Sequence, residues 1–250
     1  MSGLLAFTRF EVGRLVRSWK FLVTTIGFPV VFYMLFVGNH NPGKIVDGTV
    51  AWRTYLLVTM CSFGSLVAAL SAGGARLSSE RAAGWSRQLR VTPLPGWSYL
   101  VTKVVATMLV VLPELLLVEL VGVAFGGVHL SVVDWFCLTA LLWVAALPFA
   151  VLGIFIGWTV HAETAFPVVF GLMFVLGYFG GLFSPVDSMP KALQVVAHIL
   201  PSFHGAALGI SFLDGRGLGF SHWLVLCAYA LALSFVLLIR HRIEESRGIA

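Results

Sequence analysis

Residues 100–126 read LVTKVVATMLVVLPELLLVELVGVAFG, twenty-seven residues whose only charges are Lys103, Glu114 and Glu119. A bilayer core about 30 Å thick is crossed by roughly 20 apolar residues in helical form, so this run is long enough to span it. Backbone amides in lipid find no water to bond, and the run lacks the apolar–polar alternation of a barrel strand, which leaves the helix. The same reading applies at 21–38, 54–74, 135–160, 164–183 and 223–239, giving six spans. Composition agrees: of 250 residues 59% are hydrophobic and 11% charged, and the mean hydropathy is +0.96. Soluble domains carry about 25% charged residues and could not bury this much apolar surface. A soluble enzyme is therefore excluded. So is a disulfide scaffold, because the three cysteines Cys61, Cys137 and Cys227 lie in apolar runs, and so is a disordered chain, given 13% aromatic residues. Pro29, Pro113, Pro148 and Pro167 fall inside four of the spans, where they can kink a helix.

Lysine and arginine set the orientation, since cytoplasmic flanks retain them during insertion. The N-terminal flank, the second connection and the C-terminus together hold twelve: Arg9, Arg14, Arg17, Lys20, Arg76, Arg81, Arg87, Arg90, Lys103, Arg240, Arg242 and Arg247. The opposite side holds Lys44, Arg53, Lys191 and Arg216. Both termini are expected in the cytoplasm, in a multi-pass protein of the cell membrane. The net charge of +5 serves topology and anionic headgroups, so no nucleic-acid partner is expected. Residues 3–20 predict an interfacial amphipathic helix: Leu4, Leu5, Val12, Leu15, Val16 and Trp19 fall within about 120° of arc and the basic residues outside it. The following apolar run is longer than the core of a removable signal.

Several chemical-looking patterns lack their context. Gly38 to Lys44 reproduces the first seven positions of a phosphate loop, but Ile45 stands where magnesium needs a hydroxyl and no strand precedes it. His161-Ala162-Glu163 has no Cys-x-x-Cys to complete a zinc site. Asp187, His198, Ser202 and His204 have the types of a hydrolytic triad without known geometry. No metal site is expected, nor any catalytic residue. Glu114 and Glu119 carry more weight. Near the middle of a span a carboxylate costs about 2.5–3.5 kcal/mol on insertion scales, so it should face protein or a wet path, or be neutral. The two lie about 140° apart around the helix and so do not share a face. They are candidate translocation-path residues, and Glu114 is the proton site of an alternative reading, a secondary transporter driven by an ion gradient; an intramembrane enzyme is a further alternative. No inverted repeat relates the two halves, which disfavours the transporter of that kind. The spacings Gly122–Gly126, Gly153–Gly157 and Gly177–Gly181 allow close helix approach. The cluster of Gly171, Gly177, Gly180 and Gly181 is the expected packing contact.

Between the second and third spans lies Arg76-Leu-Ser-Ser-Glu80-Arg81-Ala-Ala-Gly84-Trp85-Ser-Arg-Gln-Leu89-Arg-Val-Thr92-Pro93. Ser78 or Ser79 can cap a helix, Ala82, Trp85 and Leu89 form an apolar stripe, and Pro93 stops it. Glu80, Arg81, Gly84, Leu89, Thr92 and Pro93 match the hallmark after the second span in the type-2 permease subunits of ATP-binding-cassette exporters, which this chain resembles. Ala82 and Ala83 depart from the charges usual there. A second hallmark is matched by Gly181-Leu182-Phe183-Ser184-Pro185, Met189-Pro190-Lys191-Ala192-Leu193 and Leu200-Pro201.

The resemblance covers nearly the whole chain and implies an all-α membrane protein of one domain, 1–250. Six transmembrane helices follow the interfacial helix, with a cytoplasmic coupling helix at 76–93 and short re-entrant helices at 184–209 that close the outer exit. It implies that Glu80, Arg81, Gly84, Trp85, Leu89, Thr92 and Pro93 meet separate ATPase subunits. Phe183, Pro185, Pro190 and Pro201 would belong to an extracellular gate, and Gly177, Gly180 and Gly181 to helix packing. It further implies pairing with a second permease subunit, identical or not. ATP and Mg would sit on the ATPase, with no cofactor on this chain, which would be a transport subunit exporting a hydrophobic small molecule such as a drug or lipid rather than an enzyme.

Overall fold

The computed structural model describes residues 13, 19–38, 45–46, 50–84, 96–217 and 219–246. Among them regular structure is helical, apart from one isolated bridge between Ile45 and Ala51. The helices are α1 (Trp19–Val37), α2 (Trp52–Leu70), a π-helical turn (Ser71–Ala75), α3 (Arg76–Ala82), α4 (Gly96–Ala124), α5 (Val132–Ala145), α6 (Leu147–Thr159), α7 (Ala162–Phe179), a 3-10 turn (Val186–Ser188), α8 (Lys191–Ala197), α9 (Pro201–Leu213) and α10 (Phe220–Ser246). Among the described residues five stretches are long and apolar enough to cross a membrane: Trp52–Ala82, Tyr99–Ala124, Val132–Thr159, Ala162–Phe179 and Phe220–Arg240. α1 is apolar along most of its length, Gly27–Val37 included, and α8 with α9 forms a pair bent by 84°.

α2 is the axis of the bundle. It packs against α1, α4, α6 and α9, and Leu57, Val58, Met60, Cys61, Phe63 and Leu66 are fully enclosed. Two of its hydroxyls are satisfied within the helix, Thr59 donating to the Leu56 carbonyl at 3.0 Å and Ser65 to that of Ser62 at 2.9 Å, where no water is at hand. α10 is the opposite case: Leu224, Leu231, Phe235 and Leu238 are exposed, and an outward apolar face on a spanning helix is a surface for lipid.

Five of the expected spans coincide with these stretches and the first falls on α1, with four differences in detail. The second does not stop before a separate helix but runs unbroken to Ala82, so Ser78 and Ser79 are interior residues whose hydroxyls donate to the Ala75 carbonyl at 2.9 Å. A helix over 76–93 does not form as one piece, because α3 ends in a turn with Gly84 at φ +78°, its N–H bonded to the Arg81 carbonyl at 3.0 Å. The fourth span changes from α5 to α6 at a single turn residue, Ala146, where Pro148 cannot donate to the preceding turn and sits in the first turn of α6, while Val132–Thr159 remains one stretch. The fifth ends at Phe179, ahead of Gly181 at φ +73°. The expected interfacial helix at 3–20, apart from residues 13, 19 and 20, and the segment Trp85 to Pro95 lie outside the described residues.

Candidate functional site

A cavity of about 550 Å³ opens between α1, α2, the π-helical turn, the start of α3 and α7. Its walls are aromatic and apolar: Phe28 from α1, Phe63 and Val67 from α2, Phe166, Phe170, Met173 and Phe174 from α7. Polar groups enter chiefly at one end, through Thr25, Ser71 and Arg76. At the other end the rings close into a seal. Phe63 lies 4.8 Å edge-on to Phe183, Phe32 lies 5.5 Å from Phe183, and Phe28 reaches Phe63 and Phe174 at 5.9 and 6.0 Å. Gly177 makes that closure possible, since a Cβ there would stand 2.9 Å from the Phe63 ring and 3.1 Å from that of Phe183. An apolar chamber of this size with polar groups at one mouth can receive an amphipathic molecule.

The floor of the chamber owes its shape to glycine. Gly73 and Gly74 in the π-helical turn cross Gly153 and Gly157 of α6 at backbone contact. A Cβ on Gly73 would lie 2.9 Å from the Ile154 nitrogen, and one on Gly157 would meet the carbonyl oxygens of Gly73 and Gly74. The extra residue of a π turn shifts the register of everything that follows. It leaves Ser71, Ala75 and Arg76 facing the chamber and Glu80 buried.

Glu80 anchors a charged cluster on the same end. Its carboxylate accepts from Lys103 of α4 and, at 3.4 Å, from Arg76 one turn earlier; Glu80 and Lys103 are both buried. Arg81 donates to the carbonyls of Gly157, at 3.3 Å, and Trp158, with its guanidinium 4.9 Å above the Trp158 ring. These are the final carbonyls of α6, where a cation also meets the negative end of the helix dipole. α3 is thus joined to α4 and α6 just before the chain reaches Gly84. Lys103 and Arg76 were counted in sequence only as topology charges; the signal available was a lysine intruding three residues into an apolar run.

Glu114 and Glu119 are not on the chamber, whose walls take no residue from α4. Glu114 is 1% exposed and its carboxyl occupies the space where Gly64 of α2 has no side chain. Neither oxygen has a hydrogen-bond partner among the described residues. Glu119 points elsewhere, as the helical spacing required, and accepts from Thr139 of α5 at 2.8–2.9 Å.

At the end opposite Glu80, each expected gate proline begins a short element. Pro185 precedes the 3-10 turn, Pro190 precedes α8, and Pro201 opens α9. Gly180 stands against Ser202, whose hydroxyl donates to the Leu176 carbonyl at 2.7 Å; that bond directs the hydroxyl to the end of α7 and not to His204. Gly181 supplies the turn, whereas Gly171 has no neighbour within 4 Å. Close approach at glycine thus occurs both at Gly177, Gly180 and Gly181 and where Gly73–Gly74 cross Gly153–Gly157. Trp85, Leu89, Thr92, Pro93 and the loop Asn39 to Lys44 lie outside the described residues. No group of three or more metal-ligating side chains forms among the described residues.

Two comparisons bear on this arrangement. A family profile described as "ABC-2 type transporter" matches residues 3–213. The chain is also 28% identical over 233 residues, 92% of its own length and 93% of the relative's, to a protein of Bacillus subtilis (strain 168) named "Putative transport permease YvfS".

Proposed function

The chain belongs to the ABC-2 type transporter family, and from that premise we propose that it is the membrane-spanning permease subunit of an ATP-driven exporter. It moves a hydrophobic small molecule from the cytoplasm or inner leaflet to the outside. ATP and Mg are bound by separate ATPase subunits, and a second permease subunit completes the assembly. The observation that supports this reading best is one continuous helix, Trp52–Ala82. Its middle contributes Phe63 and Val67 to the aromatic chamber, its π-helical turn forms the floor, and its end carries Glu80 and Arg81.

In this reading the basic end is cytoplasmic, and the segment from Glu80 to Pro93 presses on the ATPase. Closure of the ATPase moves α3, and α3 cannot move without disturbing Lys103 on α4 and the Gly157–Trp158 carbonyls on α6. The membrane part then has two states whose balance ATP shifts by differential contact through the docked segment. The bent pair α8–α9 and the Phe183 seal close the outer exit. An ion-gradient mechanism through Glu114 has less support, because that carboxyl faces Gly64 and not the chamber.

The test is purification of the chain with its ATPase and measurement of extrusion into vesicles. Extrusion that stops when the ATPase is disabled, and a Trp85→Ala variant that inserts normally but extrudes at least about tenfold less, are the expected results. Normal extrusion without a functional ATPase overturns the proposal.

A further inference from the structure

At the end of the bundle away from Glu80, two histidines from different elements meet ring to ring. His204 of α9 is 7% exposed, and its Nδ1 lies 2.8 Å from Nδ1 of His222 in the first turn of α10. Its other nitrogen, Nε2, lies 2.8 Å from the His198 carbonyl oxygen. A carbonyl only accepts, so His204 Nε2 carries a hydrogen. In a neutral His204 that leaves Nδ1 as a lone pair, and His222 must then donate from its own Nδ1. The neutral pair is fully satisfied in one tautomeric arrangement alone.

We propose that the His204–His222 pair is a proton-operated latch that holds α9 against α10 when both rings are neutral and releases it when both are protonated. A first added proton can reside on His222 Nε2 without disturbing the bond between the rings. A second must go to His204 Nδ1, which places two N–H groups and two positive charges face to face at 2.8 Å. The surroundings do not offset this. From the α8–α9 turn the His198 ring lies tilted against Phe203 at 4.6 Å, and Phe203 is 6.1 Å from the His222 ring. Arg216, in the connection to α10, lines the same 220 Å³ pocket as His222 and is paired with Asp214. Asp187 and Tyr55 complete its charged or titratable lining. The open pair binds one proton more than the closed pair, so acidity favours opening.

Release matters because of what α9 holds. Ser202, two residues before His204, ties α9 to the end of α7 at the Leu176 carbonyl, one turn from Gly180 and beside the Phe183 seal. The Tyr229 hydroxyl of α10 donates to the Ile199 carbonyl at 3.1 Å, a second tie that joins α10 to the turn before α9. The latch therefore loosens a joint and does not detach α9 outright.

The experiment is hydrogen–deuterium exchange of the full chain in lipid nanodiscs, with rates corrected for the intrinsic effect of pH. Protection of amides in 201–213 should fall as the pH is lowered from 7.5 towards 5, at a limiting slope of about tenfold per pH unit, the response of one proton. His222→Asn retains an N–H donor near the Nδ1 position and cannot take a proton, so its protection should stay flat. Unchanged protection in the wild type, or an equal fall in His222→Asn, overturns the latch. Nitrogen-15 spectra of histidine-labelled wild type at pH 7.5 check the same point without a variant. They should show His204 protonated at Nε2 and His222 at Nδ1, and any other tautomer pair overturns it. Nanodiscs expose both faces to one buffer, so the outcome is independent of orientation and of the export mechanism.

Discussion

Gly64 and Glu114 are a matched pair, one residue without a side chain opposite one with a carboxyl in the middle of a membrane helix. A Cβ on Gly64 would overlap the Glu114 carboxyl, and the site is enclosed by Leu57, Met60, Cys61 and Leu115, all fully buried, so the carboxyl has little room to withdraw. Overpacking of this kind costs about 1–3 kcal/mol. Gly64→Ala should lower the apparent melting temperature in detergent, and Glu114→Ala should lower it by opening a void. The double variant should be destabilised by less than the sum, because the new methyl occupies part of that void. Additive effects would show that the two residues do not share the site. The sequence singled out Glu114 for its depth but could not name Gly64, since nothing in the spacing of one helix specifies which residue of another faces it.

Among elements, the continuous run α2–π–α3 carries most of the mechanical argument. Its apolar length was legible in residues 54–74, because lipid demands a run of that kind whatever the packing. Its extension to Ala82 was not. The serines at 78 and 79 favour caps in isolation, and only burial of Leu77 and the Glu80–Lys103 pair shows why the helix continues through them. Breaking that pair is costly: truncating one member of a buried ion pair leaves the other uncompensated, at about 3–5 kcal/mol. Glu80→Gln and Lys103→Met should each reduce stability, and the double variant should recover part of the loss, measured by thermal unfolding. The π turn permits a sharper test. Deleting Ala75 would return the ladder to α-helical register and turn α3 back by about 100° relative to α2, carrying Glu80 away from Lys103. The expected result is normal insertion with extrusion reduced at least about tenfold; unimpaired extrusion would mean that the register of α3 is immaterial to coupling.

For the whole molecule, the question is whether the chamber lies on the route of the transported molecule or is merely a packing defect beside lipid. Its rings come from three separate elements and a loop: Phe28 on α1, Phe63 on α2, Phe174 on α7 and Phe183 after it. No periodicity within one helix announces such a convergence, which is why the twenty phenylalanines read as bulk hydrophobicity in sequence. A route and a defect respond oppositely to filling. Met173 lines the chamber from α7 and is 7% exposed. Replacing it with Trp puts an indole where a flexible thioether stood. In a mere void that substitution adds apolar contact and should leave extrusion intact or the protein slightly more stable. On a route it should lower extrusion of a bulky hydrophobic substrate by about tenfold or more and of a small one by less, with protein level and ATPase binding unchanged. Leu231→Trp on the exposed face of α10, where Leu231 is 71% exposed, is the control, because an aromatic ring added toward lipid meets no wall. Equal extrusion by the two variants would remove the chamber from the transport path while leaving family membership untouched.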